Sequence, residues 1–268
     1  MLVIAIQYYS RDWWRAMKLA RLLADLERRR RDGVCLLFVR TTECPQTQYM
    51  DDTIRRCSEV FHVESLVLRP DTVARRVRWD LLNVWPVGCN VLWAGAVEYF
   101  LHSMSFVWTA IFFADGGDGV PLHREWANIM LLDHLRTLRG GQSVTGSVFR
   151  DGSGRWHVNG NVVMGRSFLE SHPEVLAMPE SREGWDVHHA PTVLPECRAS
   201  TLVRCGWRQV GARVEQFPQA AEHSAWWHGC KDGNFVDLAR EYLSGVDHPY
   251  PKILDLGRAT ELVAGASL

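Results

Sequence analysis

The first forty residues decide most of what this chain can fold into. Leu2–Ile6 is an unbroken aliphatic run, the pattern of a strand buried on both faces. Trp14, Met17, Leu19, Leu22, Leu23 and Leu26 then recur at three- and four-residue steps, which predicts an amphipathic helix. Val34–Val39 is a second aliphatic run. Strand, helix and strand at this spacing form a βαβ unit, and such a unit puts its two strands parallel in one sheet. The expected fold class is α/β, a Rossmann-related, mostly parallel central sheet flanked by helices. Between the first strand and its helix lies a polar-aromatic loop, Gln7–Asp12. Glu27–Asp32, with four consecutive arginines at Arg28–Arg31, ends that helix, and Gly33 closes it. The run reads as a solvated helix end complementing the dipole, with a phosphate-binding patch as the alternative.

The same alternation continues. Thr47–Cys57 predicts a helix and Phe61–Leu68 a strand. Asp71–Arg78 carries Arg75, Arg76 and Arg78. Pro86 and Gly88 mark a loop, after which Asn90 is placed to cap a helix from Val91 to about Ser105. Its amide has a second reading, a contact to a donor sugar or nucleotide. Ile111–Phe113 is a strand, Glu125–Leu138 an amphipathic helix, Val144–Phe149 a strand and Phe168–His172 a short helix. Val203–Val210 and Arg213–Gln216 read as short strands or extended segments. Trp226–Asn234 reads as a polar loop, and Phe235–Leu243 as the last helix before a tail from about residue 245. With 268 residues and no visible linker or repeat, one domain over 1–268 is expected.

Composition narrows the function classes. The formal net charge is −1, so no global basic field draws nucleic acid to this chain. Seven scattered cysteines without a CxxC pair indicate neither a disulfide framework nor a zinc knuckle, which suits a cytoplasmic location. Val91–Phe113 is apolar-rich, but Glu98 and His102 interrupt it, so membrane insertion is not expected. Twelve tryptophans suit aromatic platforms for sugars or bases, and equally a tryptophan-rich core.

The chemistry concentrates in a few loops. In Ile111–Leu122, IFFADGGDGVPL, a strand runs into a turn where Asp115 and Asp118 sit among Gly116, Gly117 and Gly119. Two hard oxygen donors at the carboxyl end of a buried strand suit Mg²⁺ or Mn²⁺, and through it a diphosphate. A solvated Asp-Gly turn is the plainer reading. Asn159-Gly160-Asn161 is a hairpin signal with two side-chain amides. His188-His189 is a weak ligand pair, since adjacent residues point in different directions.

Taken in order, these motifs resemble the GT-A fold glycosyltransferases, which use nucleotide-diphosphate sugars. The likeness is to small enzymes of bacteriophage and bacterial genomes and runs from about Leu2 to Asn234. It implies a metal-dependent transferase with a nucleotide-diphosphate sugar, a UDP-sugar first, as donor. In that scheme Asp115, Asp118 and His228 hold Mn²⁺ or Mg²⁺, and Lys231 touches the diphosphate. Tyr8 and Arg11 meet the nucleotide, Asn159 and Asn161 present amides to the donor sugar, and, if the reaction inverts, Asp186 is the base toward an acceptor hydroxyl. Trp185 is placed to stack on a sugar or base. The chain departs from the family's acid-x-acid pattern, because two residues separate Asp115 from Asp118. Asp118 is therefore the main expected ligand.

For the acceptor, the resemblance leans to a 5-hydroxymethylpyrimidine in phage DNA, with Arg28–Arg31 and Arg75–Arg78 on phosphates. A saccharide, lipid or protein acceptor is the alternative. Two other classes fit the same residues. One is a binding module that keeps the fold without the chemistry. The other is a metal-dependent hydrolase or nuclease, which lacks the denser ligand cluster that a two-metal site needs.

Overall fold

The computed structural model describes residues 1–69, 86–177, 183–209, 211–230, 233–245 and 250–265, with the side chains of 115, 206–209 and 265 also outside that description. Thirteen strands are described. Eight of them form one sheet in the order β13-β10-β6-β9-β4-β1-β2-β3. These are β1 (Leu2–Gln7), β2 (Arg31–Thr41), β3 (Phe61–Leu68), β4 (Ala110–Asp115), β6 (Val144–Gly146), β9 (Val163–Gly165), β10 (Cys197–Ser200) and β13 (Asp255–Arg258). Six run in one direction, while β9 and β13 run against them. A three-stranded sheet joins β11 (Val203–Gln209), β12 (Trp226–Cys230) and β5 (Gly119–Pro121). β7 (Val148–Arg150) and β8 (Trp156–Val158) form a hairpin.

The sheet forms because β1 satisfies both of its faces. Leu2, Ile4 and Ile6 face one apolar layer, packed with Met17 and Leu23 of α1 (Trp13–Leu26) and with α2 (Gln48–Ser58). Val3 and Ala5 face the other, where α3 (Val87–His102) supplies Val91, Leu92 and Val97. α3 is apolar on nearly every side, as a helix sandwiched between a sheet and further chain must be. The remaining helices are α4 (Trp126–Arg139), α5 (Arg166–Ser171), α6 (Trp185–His188), α7 (Ala190–Val193), α8 (Phe217–Ala221), α9 (Phe235–Gly245) and α10 (Ala259–Gly265).

Several expectations need correcting. α3 starts at Val87 with Pro86 at its N-cap, so Asn90 lies inside the helix and caps nothing. Proline is tolerated there because the first turn needs no N–H donor. α1 stops at Leu26, and Arg28–Arg30 form the connection into β2, which Arg31 opens. Val144–Phe149 divides at Ser147 into β6 and β7, and Val214–Gln216 is a single 3₁₀ turn. Trp226–Cys230 is a fully buried strand, not a loop. The tail adds β13 antiparallel to β10 at the edge of the main sheet. Residues 71–78 lie outside the described part. No helix among the described residues is long and apolar enough to cross a membrane.

Two buried arginines illustrate how charge is accommodated in the described core. Arg166 opens α5 and turns its guanidinium onto the end of α3, donating to the carbonyls of Phe100 (2.6 Å), Leu101 (3.0 Å) and Trp108 (3.0 Å). Carbonyls at a helix end have no partner of their own, and a cation there also suits the dipole. Arg198 of β10 donates to the Asp133 carboxylate of α4, to its carbonyl (2.9 Å) and to Thr137 Oγ1 (2.9 Å), all buried.

Arg198→Met strands the Asp133 carboxylate in the core. It should cost about 3–5 kcal/mol in chemical denaturation, and Asp133→Leu added to it should recover much of that loss. A second expectation concerns acid. Burial and the nearby Arg198 lower His134 from 6.5 to about 4. The unfolded chain therefore binds a proton near pH 6.5 that the native state refuses until about pH 4. Stability should fall over that window by about 3 kcal/mol from this group, as unfolding midpoints at pH 7, 5.5 and 4 would record.

Candidate functional site

The strand order reverses at β1. β2 and β3 lie to one side of it and β4 to the other, which opens a crevice at the carboxyl ends of β1 and β4. Gln7 and Asp115, the last residues of these strands, are register partners. The turn that follows Asp115 packs too tightly for any side chain. A Cβ on Gly116 would stand 2.7 Å from the Gln7 carbonyl oxygen. Gly117 has φ +92°, and a Cβ there would stand 2.4 Å from Arg15 Cβ. The acidic turn is thus clamped between the end of β1 and the first turn of α1.

Asp118 leaves this turn with its Oδ1 3.0 Å from the Arg15 guanidinium, both side chains about a fifth exposed. Its carbonyl accepts the Gly229 N–H at 2.9 Å. Gly119, next along, is the β5 register partner of His228 on β12. A Cβ on Gly119 would lie 2.3 Å from Trp226 Nε1 and 3.3 Å from Asn161 Oδ1. The missing Cβ at Gly119 thus lets the β5 backbone close against the Trp226 indole and Asn161, beside the strand that carries His228.

The Asn159–Asn161 loop precedes β9, which runs against β4, and so arrives at the same edge. Asn159 is buried. Its Oδ1 accepts the Asn161 N–H at 2.7 Å, while its Nδ2 faces Cys205 Sγ at 2.9 Å and His228 Nδ1 at 3.1 Å. Asp186, in the first turn of α6, sets Oδ2 3.4 Å from His157 Nδ1. The same oxygen lies 3.9 Å from where a Gly160 Cβ would stand. Of the expected residues, Asn159 touches both Asn161 and His228, Asp118 precedes the strand paired with His228, and Asp186 lies beside the same loop through His157 and Gly160.

Other assignments change. Tyr8 is 1% exposed and belongs to the core, where burial pushes its phenol well above the usual tyrosine range. Its Cβ and Cα back Gly116. Asn90 spends its amide internally, donating to the Glu183 carbonyl (2.9 Å) and accepting the Trp185 N–H (2.8 Å). It positions the segment that carries Asp186, and its side chain is fully buried. Trp185 is not an open platform, since it stacks on Trp93 with centroids 4.4 Å apart. His189 is buried, which holds it neutral down to about pH 4. Arg11 is exposed on the β1 loop. Lys231 and the Asp115 side chain lie outside the described part.

Arg15 and His157, which motif order did not single out, stand beside Asp118 and Asp186. Among the described residues, no three His, Cys, Asp or Glu side chains gather into a metal cluster. Asp118, just before β5, and His228, on the paired β12, carry a carboxylate and an imidazole, donor types that suit Mn²⁺ or Mg²⁺ only with further ligands from outside this set.

The chain matches no protein-family model and no curated protein. It does match solved structures. An active-site mutant of LgtC superposes with TM-score 0.54 at 8% identity, over 89% of this chain and 95% of that one. The galactosyltransferase LgtC in complex with donor and acceptor sugar analogues gives TM-score 0.53 at 8% identity, over 91% and 97%. Mouse xyloside xylosyltransferase 1 in its apo form gives 0.49 at 11% identity, over 85% and 98%. The expected fold is the observed one: a mostly parallel sheet flanked by helices in the GT-A arrangement.

Asn90→Ala tests the brace on Asp186. It leaves a buried N–H and a carbonyl unpaired and should cost about 2–4 kcal/mol. Thermal unfolding reads that loss. Hydrogen exchange should quicken at Trp185, and unchanged exchange there would show that Asn90 does not hold the segment.

Proposed function

We propose that this protein is a metal-dependent glycosyltransferase that moves a sugar from a nucleotide-diphosphate donor, a UDP-sugar first, to a hydroxyl acceptor. One observation carries the proposal. Asp118, His228, the Asn159–Asn161 loop and Asp186, from separate stretches of sequence, converge at the strand-order reversal of a GT-A sheet. Such a crevice is where open α/β sheets hold nucleotides.

The roles follow from chemistry. Asp118 is the main carboxylate for Mn²⁺ or Mg²⁺, with Asp115 and His228 as further ligands. When bound, the cation offsets the negative charge that builds on the departing diphosphate. Lys231 is assigned to the same diphosphate and Arg11 to the nucleotide. Arg15 fixes the Asp118 carboxylate in the turn. Asn161, held by its N–H on Asn159, presents its amide toward the donor sugar. In an inverting reaction, Asp186 takes the acceptor hydroxyl proton as that oxygen bonds the anomeric carbon and the sugar–phosphate bond breaks. His157 beside it limits where that carboxylate can turn.

The acceptor has two readings. A 5-hydroxymethylpyrimidine in DNA rests on the sequence resemblance. Against it, Arg28–Arg31 sit where α1 leads into β2, at the amino edge of the sheet, away from this crevice. That placement and the net charge of −1 favour a saccharide, lipid or protein hydroxyl. Filter binding to duplex DNA across a salt series separates them. A steep salt slope supports DNA, and weak salt-insensitive binding removes it.

Wild-type protein with Mn²⁺ should hydrolyse or transfer from at least one common nucleotide-diphosphate sugar. Asp118→Ala should lose about a hundredfold or more. Asp186→Asn should slow transfer by about 10²–10⁴ while leaving donor affinity in place. Absence of turnover with every common donor would defeat the enzyme reading in favour of a binding module. A thermal-shift panel of nucleotide diphosphates, with and without Mn²⁺, would name the donor by mass action.

A further inference from the structure

A second concavity lies at the opposite edge of the sheet. It is a cleft of about 530 Å³ between the end of α1, the start of β2 and the start of α4. That volume falls in the range of sites for small organic ligands. Five arginines line it, Arg28, Arg29, Arg30, Arg31 and Arg124, against two glutamates, Glu27 and Glu125. Tyr250 stands at its margin with 58% of its surface exposed.

The charges do not cancel within the cleft. Both glutamates turn to Arg31, Glu27 on its Nε and Glu125 at 3.1 Å, and Asn128 Oδ1 takes its third nitrogen at 2.8 Å. Arg30 pairs with Asp32 at 2.9 Å and donates to the Ser58 carbonyl at 3.3 Å. Arg124 donates to the Leu243 carbonyl at 2.9 Å. Arg28 and Arg29 are exposed and, among the described residues, have no carboxylate in ion-pair reach. The last turn of α1 holds no basic residue, and Arg28 and Arg29 lie just beyond its end. Two guanidiniums on the wall of a concavity whose acids are already spent form a site for a multivalent oxyanion. Arginine's planar fork matches phosphate oxygens in pairs. An exposed phenol ring at the margin suits the flat face of a base.

The geometry points to a second binding site here for a phosphate-bearing ligand of nucleotide size, with Arg28 and Arg29 on the phosphate and Tyr250 against the base. It stands independently of the glycosyl-transfer reading. The phosphate has two possible sources, a free nucleotide or one unit of a single strand, and the test separates them.

The intact protein is titrated by calorimetry in EDTA, which silences metal-assisted diphosphate binding in the other crevice. The probes are inorganic pyrophosphate, UMP and a short oligothymidylate. Saturable binding of pyrophosphate and UMP is expected. The double variant Arg28→Glu/Arg29→Glu should weaken both by about tenfold or more without lowering Tm. Tyr250→Ala should weaken UMP and leave pyrophosphate unchanged. Oligothymidylate binding much tighter than UMP, with a steep salt slope, identifies a strand as the source, whereas equal affinity identifies the free nucleotide. The site is overturned if no probe saturates, or if the double variant binds like wild type.

Discussion

The crowding at the end of β4 governs the rest of the molecule. Gly116 and Gly117 carry no Cβ, so the turn lies directly on the last carbonyl of β1 and on the backbone of α1. Were it to stand off by the width of a methyl group, Asp118 would lose its place beside Arg15. β5 would then leave its register on β12, and His228 would part from the crevice. Backbone contact of this kind is rigid, because nothing in it can change rotamer. The βαβ opening supplies both surfaces, which is why a turn near residue 117 is shaped by residues 7 and 15.

Around that turn the structure uses side-chain amides as fasteners. Asn90 ties α3 to the segment bearing Asp186, and Asn159 folds its own loop while bracing His228. Each is buried, so each hydrogen bond forms where water cannot compete and where its loss leaves an orphaned group. Loops that would otherwise wander are thus fixed to the two apolar layers that clasp the sheet.

How far the sequence could be read depended on which force set each feature. The elements of residues 1–69 follow in kind and order from apolar spacing, as β1, α1, β2, α2 and β3, although the boundary between α1 and β2 moved. The crevice was legible because strand direction alone brings the ends of β1 and β4 together. What escaped were contacts between distant segments. The composition of Trp226–Asn234 hid a buried strand whose pairing with β5 is non-local. Nor does the sequence reveal that Asn90 is consumed by backbone 93 and 95 residues away, or that Tyr8 turns inward. A motif names residue types, whereas partnership depends on which chain arrives opposite.

The final strand has a bearing on how the protein behaves in solution. β10 is buried along its whole length and would present bare N–H and C=O groups at the sheet's border if β13 did not run beside it. β13 is exposed throughout, turns a glycine with φ +84° into its middle, and closes with an arginine. It behaves as a gatekeeper, giving the sheet a short, irregular, charged margin on which another chain cannot easily add. β13 thus protects against self-association, and its loss by proteolytic trimming would favour aggregation before it altered the crevice.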